Sequence, residues 1–345
     1  MTFTTRPTLR GTFGMVSSTH WLASQAGMAE LEAGGNAFDA AAAAAFVLHV
    51  AEPHLNGPGG EVPAIFARAD DPTPTVLCGQ GVAPAAATIE HYRGLDFDLA
   101  PGAGPLAATV PGAVDAWLLL LRDHGSRPLS AVLRHAIGYA RDGCPLVGRV
   151  VDTIRAVADL FTEHWKTSAA LWLPGGSAPD PNRLFRNPAY AQTLQRLVAA
   201  AETEGSREGG VEAARAAWRA GFVAEAIDEF QRIPHRDSSG REHAGLVTRD
   251  DMATWEASYE APVLGKFRGR TIAKTGPWGQ GPTLLQALAI LDGHDDAQLD
   301  PSSAAGAHLV AEALKLAFAD REAWYGDTGD VPLDTLLSDA YATQR

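Results

Sequence analysis

The alanine-rich stretch AFDAAAAAAFVLHV at residues 37–50 constrains the fold of this chain more than any other segment. Asn36 precedes it and can cap a helix, and alanine has the highest helix propensity of all residues. The stretch therefore predicts a helix that runs to about Val50. Because its side chains are small on every side, neighbouring elements can pack closely against all its faces, which predicts that the helix is buried.

Length and composition define the broad class of protein. The chain has 345 residues, of which 46% are hydrophobic and 20% charged, so it is globular and large enough for one large core or two domains. The formal net charge of -13 argues against nucleic acid and anionic membranes as partners, since both are bound mainly through Lys and Arg. We therefore expect proteins and small molecules as partners.

The sequence also predicts a location and a redox state. The N-terminus has no apolar core of signal-peptide length, and no stretch reaches the roughly 18 apolar residues of a membrane span. We expect a cytoplasmic protein whose residues 1–12 form a flexible arm. Cys78 and Cys144 are predicted to be free thiols, because two cysteines in so long a chain make no disulfide framework.

Strand patterns are sparse in this chain. The stretches VPAIFARA and PTVLCGQG predict two strands joined by the turn ADDPTP, and residues 14–18 predict a short strand. Residues 111–204 are mostly helical in pattern, and a last long helix is predicted over about 303–325. This order predicts helices layered on a mostly antiparallel sheet, and so few strands suggest that another chain completes the sheet.

The glycine-rich stretch EPHLNGPGGE at residues 52–61 has three interpretations. A phosphate loop would lead into a helix and usually carry Lys, whereas these glycines precede a predicted strand without a nearby Lys. A metal site would use His49, Glu52 and His54, but the two histidines are five apart with Pro53 between them, unlike the helical zinc motif. The favoured interpretation is a turn that admits close approach of another backbone, of unspecified origin.

Candidate nucleophiles in the chain are weak. Removal of Met1 would expose Thr2, and a threonine with a free amine can act as nucleophile and base together, but it lies in the predicted arm. No G-x-S-x-G motif is present, and neither cysteine lies in a known catalytic motif. Asp250 and Asp251 are predicted to cap a helix. The residues alone therefore give no complete catalytic set.

Several sequence blocks, in order and covering nearly the whole chain, resemble the γ-glutamyltransferase family. The blocks are GMVSSTHWLASQAGMAELEAGGNAFDAAAAAAFVLHVAEPHLNGPGG, VAPAAAT, VPGAVDAWLLLLRDHG, AIGYARDG, GLVTRDDMATWEASYEAPVLGKFRG and AEALKLAFADREAWYGD. So many blocks in one order make the resemblance specific.

The resemblance implies a fold and an assembly. It implies the α+β fold of N-terminal-nucleophile hydrolases, a four-layer αββα sandwich completed by a separate small subunit. Members of the family are made as one precursor, which cuts itself before a threonine that becomes the nucleophile. Residues 1–345 then correspond to the large subunit, a single domain co-folded with the small one as an αβ heterodimer or a dimer of such heterodimers. No catalytic residue, metal or cofactor is expected in this chain.

The resemblance also implies site residues. Gly57, Gly59 and Gly60 would provide active-site backbone beneath the small-subunit strands. Counting back from the AP pair in LCGQGVAPA, Gln80 occupies the position where γ-glutamyl enzymes carry an arginine that binds the substrate α-carboxylate. The family's PPPSSGG-like run is also altered, to GPWGQGP at residues 276–282.

These departures bear on the substrate. Arg68 and Arg93 are candidates to replace the missing charge. The expected substrate is a γ-glutamyl amide or another small carboxylated amide such as oxamate, which relatives of the family hydrolyse. The alternative is a non-catalytic binding or scaffold protein that has kept the fold.

Overall fold

A computed structural model gives the structure of residues 8–345. Residues 8–12 of the predicted arm form no helix or strand, and the rest of the arm, with the candidate nucleophile Thr2, lies outside the described residues. Within the described part of the chain, no helix is both long and apolar enough to cross a membrane.

Helices form most of the regular structure. The helices are α1 Trp21–Glu32, α2 Ala37–Ala51, α3 Ile89–Gly94, α4 Ala113–His124, α5 Leu129–Asp142, α6 Gly148–Ala156, α7 Ala158–Glu163, α8 Lys166–Trp172, α9 Pro188–Ala201, α10 Arg207–Arg219, α11 Phe222–Gln231, α12 Arg249–Thr254, α13 Gly281–Asp292, α14 Ala304–Trp324, α15 Leu333–Leu336 and α16 Asp339–Gln344. The strands are β1 Val62–Phe66, β2 Thr75–Gly79, β3 Cys144–Pro145, β4 Leu184–Phe185, β5 His235–Arg236, β6 Glu242–His243, β7 Ser258–Glu260, β8 Val263–Phe267 and β9 Arg270–Lys274.

The chain divides into two compact units, and the first is mainly helical. It consists of the residues up to Glu61 together with Gln80–Ala257. Helix α2 packs against α1, α4 and α5, and its alanines are largely buried, which confirms the helix predicted from the sequence. Asn36 begins this helix with a capping box, in which its side chain accepts backbone N–H groups while Asp39 accepts the N–H of Asn36.

A buried ion pair joins α4 to α10 within this first unit. Arg215 donates to both carboxylate oxygens of Asp115 at 2.9 and 3.0 Å, and neither side chain is more than 1% exposed. The backbone N–H of Ala257 donates to the same carboxylate at 2.9 Å. Burial alone would lower the pKa of Arg215, but the hydrogen bond and charge of Asp115 outweigh it and raise that pKa, so Arg215 stays charged.

The second unit contains the longer strands. It comprises Val62–Gly79 and Ser258–Arg345. Its three-stranded antiparallel sheet has the order β1-β2-β7, and β8 and β9 form a separate hairpin against which α13 packs. Among the described residues β1 and β7 pair on one side each, so both edges of this sheet are open.

Polar contacts link three helices of the second unit. Gln286 of α13 donates a hydrogen bond to Asp320 of α14. The hydroxyl of Tyr341 in α16 donates to the other oxygen of Asp320 at 3.0 Å, and the Tyr325 hydroxyl donates to Gln286 Oε1 at 2.9 Å. The buried Gln286 and Asp320 therefore have the hydrogen-bond partners that burial requires.

Most of the predicted elements are present, with one correction. The two strands predicted after the glycine turn are β1 and β2, and the last long helix is α14. The strand predicted over residues 14–18 is wrong, because no strand of the described chain pairs with it. Cys78 and Cys144 form no disulfide, as predicted, and burial raises the pKa of Cys144 to about 11.

Candidate active site

The glycine turn at residues 57–60 is held by backbone hydrogen bonds within the first unit. Helix α2 ends at Ala51, and the carbonyl of Glu52 accepts the N–H groups of Leu55 and Asn56 at 3.0 Å. The N–H of Gly60 donates to the Gly57 carbonyl at 3.1 Å, which closes the turn. The segment is therefore an ordered turn that follows directly from the end of a buried helix.

Nothing in the described part of the chain explains why the turn contains glycines. A side-chain carbon built on Gly57 or Gly59 would meet no atom of the described chain within 4 Å, and one on Gly60 would meet the Gly57 carbonyl at an acceptable 3.4 Å. None of the three has a positive φ, so the backbone conformation suits other residues as well. The space above Gly57 and Gly59 is therefore open.

Gly81 shows the opposite situation. A side-chain carbon on Gly81 would lie 1.6 Å from the carbonyl oxygen of Val110, so this position excludes every other residue. The N–H of Val110 donates to the Val82 carbonyl at 3.0 Å, which fixes the same close contact. The segment after Gln80 is thus pressed against backbone of its own unit.

One short stretch connects the two predicted site segments. The backbone of Val110 contacts Gly81 and Val82, and the N–H of Ala113 donates to the Gly60 carbonyl at 2.9 Å. Val110 and Ala113 are three residues apart, so at most about 10 Å of chain separates the two contacts. No local sequence pattern predicts this link, although both residues lie in VPGAVDAWLLLLRDHG, one of the family-like blocks.

A buried carboxylate lies at the start of the turn. Glu52 is 6% exposed and accepts a hydrogen bond from the Thr19 hydroxyl. His20 beside it is 1% exposed, and its Nδ1 accepts the N–H of Leu22 at the start of α1. Burial lowers the pKa of His20, and the nearby charge of Glu52 opposes that effect without reversing it. We therefore expect a neutral imidazole at physiological pH.

Asp251 fixes the backbone that follows Gln80. It forms the predicted helix cap, in a capping box with Thr248 at the start of α12, and its Oδ1 also accepts the N–H of Ala85 at 2.8 Å. Burial alone would raise the pKa of Asp251, but the hydrogen bonds from Ala85 and Thr248 outweigh it and lower that pKa. The cap that the sequence predicted thus has a second role in holding the Gln80 segment.

The histidines near the turn do not assemble a metal centre. His49 Nδ1 lies 2.9 Å from the hydroxyl of Tyr190, and burial lowers the pKa of His49 to about 4. Glu52 is engaged by Thr19. Among residues 8–345, no three His, Cys, Asp or Glu side chains come together as a possible metal site, His49, Glu52 and His54 included.

Gln80 is half-buried and directly follows β2. Within the described part of the chain its side chain makes no hydrogen bond, so its amide can bind a ligand. Of the two candidate replacements for the missing arginine, Arg68 pairs with Asp70 at 2.9 Å, while Arg93 is exposed at the end of α3.

The altered run at residues 276–282 lies in the second unit. Its Trp278 donates an indole hydrogen bond to Glu260 at 2.9 Å, and Gly281 begins α13. A side-chain carbon on Gly281 would lie 2.4 Å from the Thr275 carbonyl, so this glycine is required by close packing in its own unit.

Comparison with known proteins identifies the family. The family model described as Gamma-glutamyltranspeptidase matches residues 23–345. The chain belongs to this family, and the resemblance drawn from the sequence blocks is confirmed.

Individual relatives agree with this assignment. The glutathione hydrolase-like YwrD proenzyme of Bacillus subtilis (strain 168) is 32% identical over 97% of this chain and 59% of its own length. The acylase ACY 1 proenzyme of Pseudomonas sp. (strain SE83) is 34% identical over 97% of this chain and 58% of its own. The solved structure of LmbA2991HD is 57% identical with a TM-score of 0.94, covering 99% of this chain and 58% of that one.

Two conclusions follow from these matches. The predicted fold class is confirmed as the mixed α+β fold of the family's N-terminal-nucleophile hydrolases. The chain spans just under three-fifths of the length of these relatives, between 58% and 59%.

Proposed function

We propose that this chain is the large subunit of a γ-glutamyltransferase-like enzyme that hydrolyses amides or transfers their acyl group. The nucleophile would be the N-terminal threonine of a small subunit released from the same precursor. The YwrD and ACY 1 relatives are proenzymes, and about two-fifths of each has no counterpart in this chain. Both units described here would then belong to one domain that folds together with the small subunit.

The proposed reaction proceeds in two steps. The threonine hydroxyl attacks the amide carbonyl while its own amine accepts the proton, and backbone N–H groups stabilise the oxyanion. The C–N bond breaks, the leaving amine takes up that proton, and an ester links the acyl group to the threonine. Water or an acceptor amine then attacks the ester and frees the threonine.

The observation that carries the proposal is the open space above Gly57 and Gly59. Their backbone tolerates side chains and nothing in the described chain fills the space, yet Ala113 fixes the turn in place. Small-subunit backbone packed against the turn would explain the glycines, because only glycine permits such close approach. In this proposal Gly57, Gly59 and Gly60 provide the floor of the active site.

The substrate would be a γ-glutamyl compound or a related small carboxylated amide such as oxamate. Gln80 would contact the substrate carboxylate through its amide N–H groups. It would form one neutral hydrogen bond, where the arginine of γ-glutamyl enzymes forms a charged, bidentate pair. Weaker binding of an α-carboxylate favours substrates other than typical γ-glutamyl compounds.

Intact-mass spectrometry of the full-length protein tests the proposal. We expect two chains after expression, the smaller one beginning with threonine, and a single uncut chain when that threonine is replaced by alanine. Cleaved protein should hydrolyse a γ-glutamyl anilide or oxamate. An uncut wild-type protein without hydrolytic activity would contradict the proposal and support the scaffold alternative.

A further inference from the structure

The loop HRDSSGREHAG at residues 235–245 is a built hairpin with a buried carboxylate. Strands β5 and β6 pair His235 with His243, and Asp237 between them is 5% exposed. Asp237 accepts the N–H of Ser239 at 2.8 Å and lies 2.6 Å from His243 Nδ1. Such burial of a paired charge fixes the hairpin in one conformation.

A second segment packs tightly on this hairpin. The N–H of Ser238 donates to the Ala103 carbonyl at 3.1 Å. Gly104 has a φ of +103°, and a side-chain carbon there would lie 2.5 Å from Cβ of Asp237. Trp165 donates its indole N–H to the Arg236 carbonyl at 2.8 Å. These contacts hold three separate segments of the first unit around one cavity.

The cavity has a volume of about 290 Å³, at the lower end for small-molecule sites, so it suits a single small ring. Its lining contains no Asp, Glu, Lys or Arg, although the chain has a formal net charge of -13. The lining residues are Gly104, Pro105, Ala108, Trp165, Thr167, Ser168, Phe230, Gln231 and His235. A neutral ligand fits such a lining better than an ion.

Three lining side chains, those of Phe230, His235 and Gln231, lack the partners that their chemistry calls for, and Oε1 of Gln231 is buried and unpaired within residues 8–345. Phe230 stacks on the His235 ring at 4.7 Å between centroids, yet remains 42% exposed. Nε2 of His235 is buried and has no hydrogen-bond partner within residues 8–345. A buried nitrogen without a hydrogen-bond partner destabilises the folded state, so a partner for it is favoured. A ring that carries one hydroxyl group would cover Phe230 and form a hydrogen bond with Nε2 of His235.

We propose that this cavity binds a small neutral aromatic molecule with one hydroxyl group, of about the size of phenol. The ring contacts Phe230 and Trp165, and the hydroxyl bonds to Nε2 of His235. None of the lining residues belongs to the candidate active site, so the proposal does not depend on the proposed function.

Ligand-observed NMR titration of the full-length protein with phenol tests this site. We expect saturable binding with a Kd of about 1 mM, typical of so small a ligand. Phe230→Ala should weaken phenol and benzene binding at least fivefold. The matched control is Phe318→Ala, because Phe318 is 43% exposed and lies on α14 of the other unit. This control should leave both affinities unchanged.

His235→Phe tests the hydrogen bond separately. It keeps an aromatic ring beside Phe230 and removes Nε2, so it should weaken phenol at least threefold while benzene binds as before. The proposal is overturned if phenol does not saturate below about 20 mM, a limit well above the expected Kd. It is equally overturned if Phe318→Ala matches Phe230→Ala, or if His235→Phe affects phenol and benzene alike.

Discussion

The glycine turn at residues 57–60 and Gly81 differ in the space that a side chain would occupy. At Gly81 the space is occupied by the Val110 carbonyl of the same unit, whereas at Gly57 and Gly59 it is open in the described chain. Both segments are nevertheless fixed to the same stretch, through Val110 and Ala113. Glycine at position 81 is thus explained by packing within this chain, whereas the described residues give no packing reason for Gly57 and Gly59.

The largest expected effect is that of Gly81→Ala. The new carbon would lie 1.6 Å from a backbone oxygen, so backbone must move, and overpacking of this kind costs about 3 kcal/mol or more. We expect a much lower thermal unfolding temperature or loss of soluble protein. Gly138→Ala is the control, because a side-chain carbon there meets nothing within 4 Å and the residue lies within α5. If both variants unfold alike, the close contact at Gly81 is not real.

The double change Gly57→Ala with Gly59→Ala should separate stability from activity. Alanine fits both positions, and it reduces the freedom of the unfolded chain, so the thermal stability of this chain should stay equal or rise slightly. In the processed two-chain protein we expect turnover to fall about tenfold to a hundredfold, since two added carbons would press on the small subunit. Unchanged turnover would show that nothing approaches the turn.

Gln80→Arg tests the substrate assignment. A charge-assisted bidentate pair is stronger than a neutral hydrogen bond, so kcat/KM for a γ-glutamyl anilide should rise at least tenfold. This corresponds to about 1.4 kcal/mol of added transition-state stabilisation. Acyl anilides without the α-carboxylate serve as the control and should show no gain. If the wild type already cleaves the γ-glutamyl compound efficiently and the substitution changes nothing, Gln80 does not contact the carboxylate.

Asp251→Asn should give the smallest effect, a loss of about 1 kcal/mol of stability, because the Ala85 and Thr248 hydrogen bonds lose their charged acceptor. The pKa of Asp251 is lowered from its ordinary 3.8 by folding, so its stabilisation is present above pH 3.8 and is lost as the pH falls further. Thermal unfolding at pH 7 and pH 3 should show the difference between wild type and variant shrinking at pH 3. Asp250→Asn is the matched control, and an equal effect there would contradict the role of Asp251.

Local sequence patterns predicted the elements around the site well. The alanine-rich run, with Asn36 before it, predicted α2, and the acidic pair Asp250 and Asp251 predicted a helix cap. Helix propensity and capping act over a few neighbouring residues, so they can be read directly from the chain. Strands β1 and β2 could be predicted because strand and turn patterns are also local.

The contacts that assemble the site could not be predicted this way. Gly60 meets Ala113 and Gly81 meets Val110 across stretches of chain whose local patterns carry no sign of the pairing. The failed strand at residues 14–18 shows the same limit, because a strand exists only with a partner. The prediction that the glycine turn admits close approach stays a prediction, because the approaching group is not encoded in its own ten residues.

A crystal structure of the processed, full-length protein tests the central claim most directly. The measurement is the distance from the side-chain carbon positions built on Gly57 and Gly59 to the nearest small-subunit atom. We expect small-subunit backbone within about 4 Å of both positions, the range of van der Waals contact. Open solvent above the turn would contradict the proposal that residues 57–60 form the floor of an active site shared between two chains.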